Sequence, residues 1–217
     1  MYEKSPEYYQ GTREEMLDFI PAWAKVILDV GCGTGGFASQ LSKRQGVEVW
    51  GLEINSLAAQ EAERVMTKVL VGDANSLIPL LPDGHFDCIV FNDVLEHLVD
   101  PYGVIEAVKE KLAPKGVIVA SIPNVRFIHN LFHVLVRKQW KYIESGILDS
   151  THLRFFTYKS IEDMFHEHGY EIVTLRGVNP VRSVWFGLFN LCSLGMFADS
   201  RYFQFACVAT PRMRVEH

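Results

Sequence analysis

The stretch Val26-Ile27-Leu28-Asp29-Val30-Gly31-Cys32-Gly33-Thr34-Gly35-Gly36-Phe37 restricts the possible folds more than any other. A run of strand-forming residues ends near an acid, and four glycines follow within six positions. The chain resumes as Phe37-Ala38-Ser39-Gln40-Leu41-Ser42-Lys43, which reads as the start of a helix. Strand, glycine turn and helix opening together present bare backbone to a ligand. A Cβ in that turn would block both the tight bend and the close approach.

The unit then repeats. Residues 47–54, 68–73, 86–93 and 116–122 read as further strands, separated by helical stretches at 56–65 and 102–112. Asn55 is placed to cap the helix at 56–65, and Pro114-Lys115-Gly116 closes the one before the fifth strand. Strands alternating with helices at this length predict a parallel sheet covered on both faces. Such sheets bind ligands at the carboxyl ends of their strands. Asp29, Glu53, Asp73 and Asp93 all fall there.

The last third breaks the alternation. Residues 124–142 read as one amphipathic helix, 146–157 as a loop, 160–168 as a helix, and 171–178 and 204–210 as strands. Residues 6–20 suit a short helix stopped by Pro21. No linker or repeat divides the 217 residues, so one domain spans 1–217. Within it, 1–25 reads as an N-terminal helical segment and 124–157 as an insert outside the repeated units, where a binding site would be supplied. A net charge of −5 speaks against a broad nucleic-acid-binding face. The four cysteines, Cys32, Cys88, Cys192 and Cys207, are scattered, which predicts neither disulfides nor a zinc site but a reducing, cytoplasmic setting. The start of the chain lacks the apolar run of a signal peptide. Residues 184–197 are apolar but too short to span a bilayer, which predicts a core helix or a dimer contact. A hydrophobic lid is the alternative there.

Gly31, Gly33 and Gly36 satisfy the dinucleotide pattern G-x-G-x-x-G, with Glu53 where a ribose diol would bind. Asp29 just ahead of the glycines suits a diphosphate poorly. The run from Asp29 to Gly35 resembles the first motif of class I S-adenosylmethionine-dependent methyltransferases. The resemblance continues through Glu53, Gly72-Asp73-Ala74, Phe86-Asp87 to His97, and Leu112 to Gly116. It implies a three-layer α/β Rossmann-like fold, with a seven-stranded, mostly parallel sheet, an antiparallel last strand and a helical insert after the fifth. It also implies S-adenosyl-L-methionine as methyl donor and S-adenosyl-L-homocysteine as product. By that resemblance Gly31, Gly33 and Gly35 meet the methionine part, and Asp29 supplies negative potential beside its cationic groups. Glu53 accepts from the ribose and Asp73 from the adenine amino group, with Ala74 offering its amide. Leu52, Ile54 and Leu77 sandwich the ring, and Asn92 or Asp93 approaches the methionine end. Tyr8 and Tyr9 resemble aromatics that close over this cofactor, where a ring near a sulfonium gains cation–π attraction.

A hydroxyl acceptor needs a base in reach of its proton. His97, in the pair Glu96-His97 after the fourth strand, is one candidate, and His152 is the other. Asp149, His152 and Arg154 lie close together outside the repeated units, where substrate-binding residues are commonly supplied. An Asp149–Arg154 ion pair pinning that loop is a compatible reading. The stretches 122–126, 146–149 and 151–157 resemble bacterial methyltransferases of surface-glycan biosynthesis and the quinone-type O-methyltransferases. The expectation is therefore O-methylation of a sugar hydroxyl on a glycan precursor, including a lipid-linked one, with Arg126, Lys141 and Arg154 meeting an acidic group. A quinone-like O- or C-methyltransferase is the alternative. From other classes the rivals are a NAD-binding oxidoreductase and a non-catalytic binding module. No metal site, nucleic-acid partner or stable membrane insertion is expected, and the chain is read as a monomer or homodimer.

Overall fold

The computed structural model describes residues 9–212. Tyr8 and the other residues of the first turn expected at 6–20 fall outside that range. The strands are β1 (Val26–Val30), β2 (Glu48–Glu53), β3 (Lys68–Val71), β4 (Phe86–Asn92), β5 (Leu112–Pro123), β6 (Tyr170–Pro180) and β7 (Tyr202–Pro211). They form one seven-stranded sheet in the order β3-β2-β1-β4-β5-β7-β6. The pairs from β3 through β5 are parallel, and β7 runs antiparallel to both its neighbours. Strand order reverses between β1 and β4, so a crevice opens beyond their carboxyl ends.

The helices are α1 (Gly36–Leu41), α2 (Ser56–Ala62), α3 (Ala74–Leu77), α4 (Pro101–Val108), α5 (Ile128–Leu135), α6 (Tyr158–Glu167) and α7 (Val184–Cys192). Strand residues point alternately to the two faces of the sheet, and the core is accordingly in two parts. Leu28, Ile89, Phe91, Ile118 and Ala120 pack with Ile105 of α4 and Phe165 of α6 on one face. Ile27, Cys88, Val90 and Val119 pack with Phe37 and Leu41 of α1 on the other, with Met16 of the 3-10 turn Glu14–Phe19. This is the three-layer arrangement expected from the alternation of strands and helices. Asn55 caps α2 as expected, accepting from the Leu57 and Ala58 amides at 3.0 and 3.2 Å.

Two expectations for the last third are corrected. The single helix over 124–142 is only α5, because Asn124 and Arg126 are tied elsewhere. Asn124 Nδ2 donates to the Asp199 and Tyr202 carbonyls at 2.9 and 3.0 Å, and the residue bridges Phe156. That extends the sheet edge where a helix would begin. Residues 184–197 are not a core helix: only Phe186 of α7 is buried, while Trp185 is 81% exposed and Leu194 95% exposed.

Phe91 lies wholly buried near the carboxyl end of β4. Phe91→Ala is expected to cost about 3–5 kcal/mol, lowering the melting temperature by roughly 6–20 °C. Leu57→Ala, on the exposed side of α2, should change stability by less than about 0.5 kcal/mol. Thermal denaturation of the two variants checks both.

Candidate functional site

A cleft of about 870 Å³ lies across the carboxyl ends of β1, β2 and β4. Its floor is the turn after β1, where Gly31 and Gly33 have φ of 72° and 54°. A Cβ on Gly33 would stand 2.4 Å from the Tyr9 carbonyl oxygen. The N-terminal segment closes on the turn at this point: that carbonyl accepts from the Thr34 amide at 3.0 Å and from its hydroxyl at 3.1 Å. Tyr9 itself lines the cleft. Gly35 does not; its Cβ would meet Val65 and Ala62, so it serves the packing of the turn against α2.

The strand-end acids gather as expected. Asp29, Glu53, Asp73 and Asp93 all line the cleft, with Ile54, Ala74 and Asn92. Glu53 Oε2 accepts from the Gly33 amide and Oε1 from the Asn55 amide, each at 2.8 Å. Asp29 is buried, and that burial together with the nearby Glu53 carboxylate pushes its pKa up to about 8. Asp73 caps α3 through the Asn75 amide at 3.0 Å, and Ile54 is 57% exposed at the mouth. Both polar atoms of the Asn92 side chain are buried without a hydrogen-bond partner, which is the demand a polar ligand would meet. Leu52 is a core residue instead of a wall of the cleft, and Leu77 packs against the same core.

Asp93 has a left-handed backbone, φ 54°, which swings its carboxylate across the cleft. Its Oδ1 accepts from Ser121 Oγ and from Gln204 Nε2, both at 2.7 Å, and Arg13 forms an ion pair with Oδ2. Arg13, Ser121 and Gln204 carried no signal in the sequence, since they come from three separate segments and none belongs to a motif.

The opposite end of the cleft joins the turn after β4 to the insert. Glu96, His97, Asp149, Thr151 and His152 line it together. The Leu153 and Arg154 amides donate to the Glu96 carbonyl at 2.8 and 3.0 Å, which fixes the insert loop on that turn. The His97 and His152 rings meet edge-on with centroids 4.6 Å apart. Asp149 Oδ1 accepts from the Thr151 amide and hydroxyl, both at 2.8 Å. Glu96 is buried, which pushes its pKa up to about 8. Arg126 and Arg154 are not brought here. Arg126 pairs with Asp199 at 2.7 Å, and Arg154 donates to the Leu153 and Val99 carbonyls at 2.9 and 2.7 Å. Lys141 is exposed.

A family model described as a methyltransferase domain matches residues 3–175. The chain belongs to that methyltransferase family. One curated relative, a "Ubiquinone biosynthesis O-methyltransferase" of Cereibacter sphaeroides, is 26% identical over 73% of this chain and 66% of its own length. A protein of the same name from Psychrobacter arcticus is 33% identical over 46% of this chain and 41% of its own. The match thus spans just under two thirds of the first relative and less than half of the second. In fold, the chain is similar to a "SAM dependent methyltransferase" of Archaeoglobus fulgidus, with a TM-score of 0.67, 19% identity and 94% of each chain covered.

Gly33→Ala is expected to push the Tyr9 segment off the glycine turn, because the clash is with backbone and the φ is left-handed. Hydrogen–deuterium exchange at the Thr34 amide should speed up at least tenfold in that variant. Gly187→Ala, where a Cβ meets nothing within 4 Å, should leave that exchange unchanged.

Proposed function

We propose that this chain transfers a methyl group from S-adenosylmethionine to a ring-borne hydroxyl. The observation that carries the reading is one cleft with two chemically distinct ends. At one end, carboxylates surround a bare glycine turn. At the other, two imidazoles and a carboxyl group stand together.

The donor has no phosphate but does have a sulfonium, an amino group, a ribose and an adenine. Each finds a counterpart in the cleft. Glu53 has a second lone pair on each oxygen for the ribose hydroxyls, while its other bonds hold the turn. Asp73, Ala74 and Ile54 receive the adenine, and Asn92 and Asp93 the methionine end. Asp29 places a carboxyl group under the cationic part. A NAD-binding reading has no use for that acid, and a degenerate binding module would not need the whole set.

Methyl transfer is a direct displacement in which the acceptor oxygen attacks along the line of the S–CH3 bond. Holding the two in line supplies much of the rate. The acceptor hydroxyl loses its proton at the cluster of His97 and His152, with Asp149 orienting the loop that presents His152. Exposed Trp140 and Tyr142 pack on Phe155, which in turn lies 6.3 Å from the His152 ring. Such a surface suits stacking of a phenol or a sugar. The relatives' name favours the phenol over the glycan hydroxyl expected from the sequence.

The test is a labelled-methyl screen over catechols, phenols, nucleotide sugars and glycan precursors, alongside calorimetric titration of S-adenosylhomocysteine and NAD. Binding of the first and not the second, with label on oxygen, is the expected result. His152→Ala should lower turnover by roughly 10²- to 10⁴-fold with product affinity within about twofold of the parent. Full turnover in that variant would remove His152 from the chemistry.

Asp29 gives a pH signature. With its pKa at about 8 in the free protein, the carboxyl is neutral below that pH, and a cation bound beside it favours the charged form. Donor affinity should therefore rise with pH, by up to about tenfold per unit below pH 8, and level off above it. Calorimetry from pH 6 to 9 checks this, and Asp29→Asn should flatten the profile.

A further inference from the structure

We propose that Glu96, His97 and His152 form a binding site for a divalent transition-metal cation at the acceptor end of the cleft. The sequence reading expected no metal, and Glu96-His97 and His152 lie more than fifty positions apart in the chain. The fold brings them together: one donor atom from each lies within 4.8 Å of the other two.

Three observations point to a cation. The first is Glu96. Its side chain is 1% exposed, and neither carboxyl oxygen has a hydrogen-bond partner. A buried carboxyl group without partners is costly, and a coordinated cation satisfies it directly. Its Oε1 faces His152 Nε2 at 3.9 Å, so the group is aimed at the imidazole.

The second is the tautomer of each ring. His152 Nδ1 is 2.9 Å from the Ile147 carbonyl, which only accepts, so Nδ1 carries the proton and Nε2 the lone pair. His97 Nδ1 lies 3.3 Å from the Thr151 carbonyl and 3.1 Å from its hydroxyl. That hydroxyl donates to Asp149 Oδ1 at 2.8 Å, so it too accepts from His97. Both rings thereby hold the lone pair on Nε2. Metal-binding histidines are oriented in this way, with the second nitrogen donating to a carbonyl or a group held by a carboxylate.

The third is the donor set. Two imidazole nitrogens and one carboxylate oxygen suit zinc and its first-row neighbours, whereas magnesium and calcium prefer oxygen alone. Bond lengths of about 2.0–2.2 Å would bring the donors to roughly 3.4 Å apart, a modest contraction from the present spacing. Three protein ligands leave a coordination position open to the cleft.

This inference rests on the hydroxyl-methylating reading and says how the hydroxyl is ionised there. A cation held by these residues would lower the pKa of an acceptor hydroxyl beside it, whose proton would leave to bulk water. The new O–CH3 bond then forms as the S–CH3 bond breaks, giving the methyl ether and neutral S-adenosylhomocysteine. No group is oxidised or reduced. His97 and His152 act as ligands, and Asp149 and Thr151 as positioning residues.

The experiment uses the full chain, stripped with a chelator and titrated with cobalt(II), zinc(II) and magnesium(II) chlorides. Calorimetry and the visible absorption of cobalt(II) provide readouts independent of turnover. One equivalent of cobalt or zinc should bind, with much weaker magnesium binding. His152→Ala and Glu96→Gln should each abolish that site, and Asp149→Asn should weaken it by about 10- to 100-fold. Retained S-adenosylhomocysteine binding shows that each variant is folded. Chelation should stop methyl transfer, and added cation restore it. Cobalt binding unchanged in His152→Ala, binding of magnesium alone, or full turnover in the stripped protein would each overturn the inference while leaving the methyltransferase reading in place. A parent chain that binds cobalt but not S-adenosylhomocysteine would instead overturn the methyltransferase reading.

Discussion

The carboxylate of Glu53 holds the glycine-turn end of the cleft together. It ends β2 and reaches sideways to the Gly33 amide of the turn after β1. Its other oxygen takes the Asn55 amide, whose residue caps α2. One buried side chain thus sets the spacing of two adjacent strand ends and the start of a helix. The same placement puts a second acid, Asp29, in a dry site beside a negative neighbour. That arrangement is unfavourable for the free protein and favourable once a cation enters. On the proposed reading, the acids that crowd the cleft are those that would select a cationic ligand.

The fold was legible because its signals are local. Alternation of apolar faces and the cap at Asn55 each follow from a few adjacent residues, and each marks an element seen in the structure; the stop expected at Pro114-Lys115-Gly116 comes earlier, because α4 ends at Val108 and β5 already runs from Leu112 through those residues. The strand-end acids were legible for a related reason, since parallel strands share a direction and their ends converge. The insert was not. A helical pattern from 124 to 142 is a statement about local periodicity, and the long-range bonds of Asn124 and Arg126 to the chain near Asp199 override it. The positive charge of Arg126 suits an acceptor contact, but Asp199 takes it instead. Its partner, seventy-three positions away, could be found only in three dimensions.

Backbone geometry explains why the glycines of one motif divide their work. Gly33 takes a left-handed φ and, lacking a Cβ, lets the Tyr9 carbonyl approach closely, so it joins the cleft to the N-terminal segment. Gly35, two positions on, has the same kind of φ but faces α2, so it joins the cleft floor to the scaffold. A sequence pattern shows that side chains are excluded at both positions. It does not show which neighbour excludes them.

Asp93 extends the same logic to the two ends of the cleft. Its left-handed backbone aims the carboxylate at Ser121 of β5 and Gln204 of β7, and Arg13 closes the ring from the N-terminal segment. Three residues later the turn after β4 supplies Glu96 and His97, and the Glu96 carbonyl anchors the loop that carries His152. On the proposed reading the turn after β4 is therefore the hinge of the chemistry. One side of it would face the methionine end of the donor, and the other the group that receives the methyl. A displacement reaction depends on the line between those two points. Building both from one short, doubly anchored turn keeps that line fixed whatever the flanking loops do.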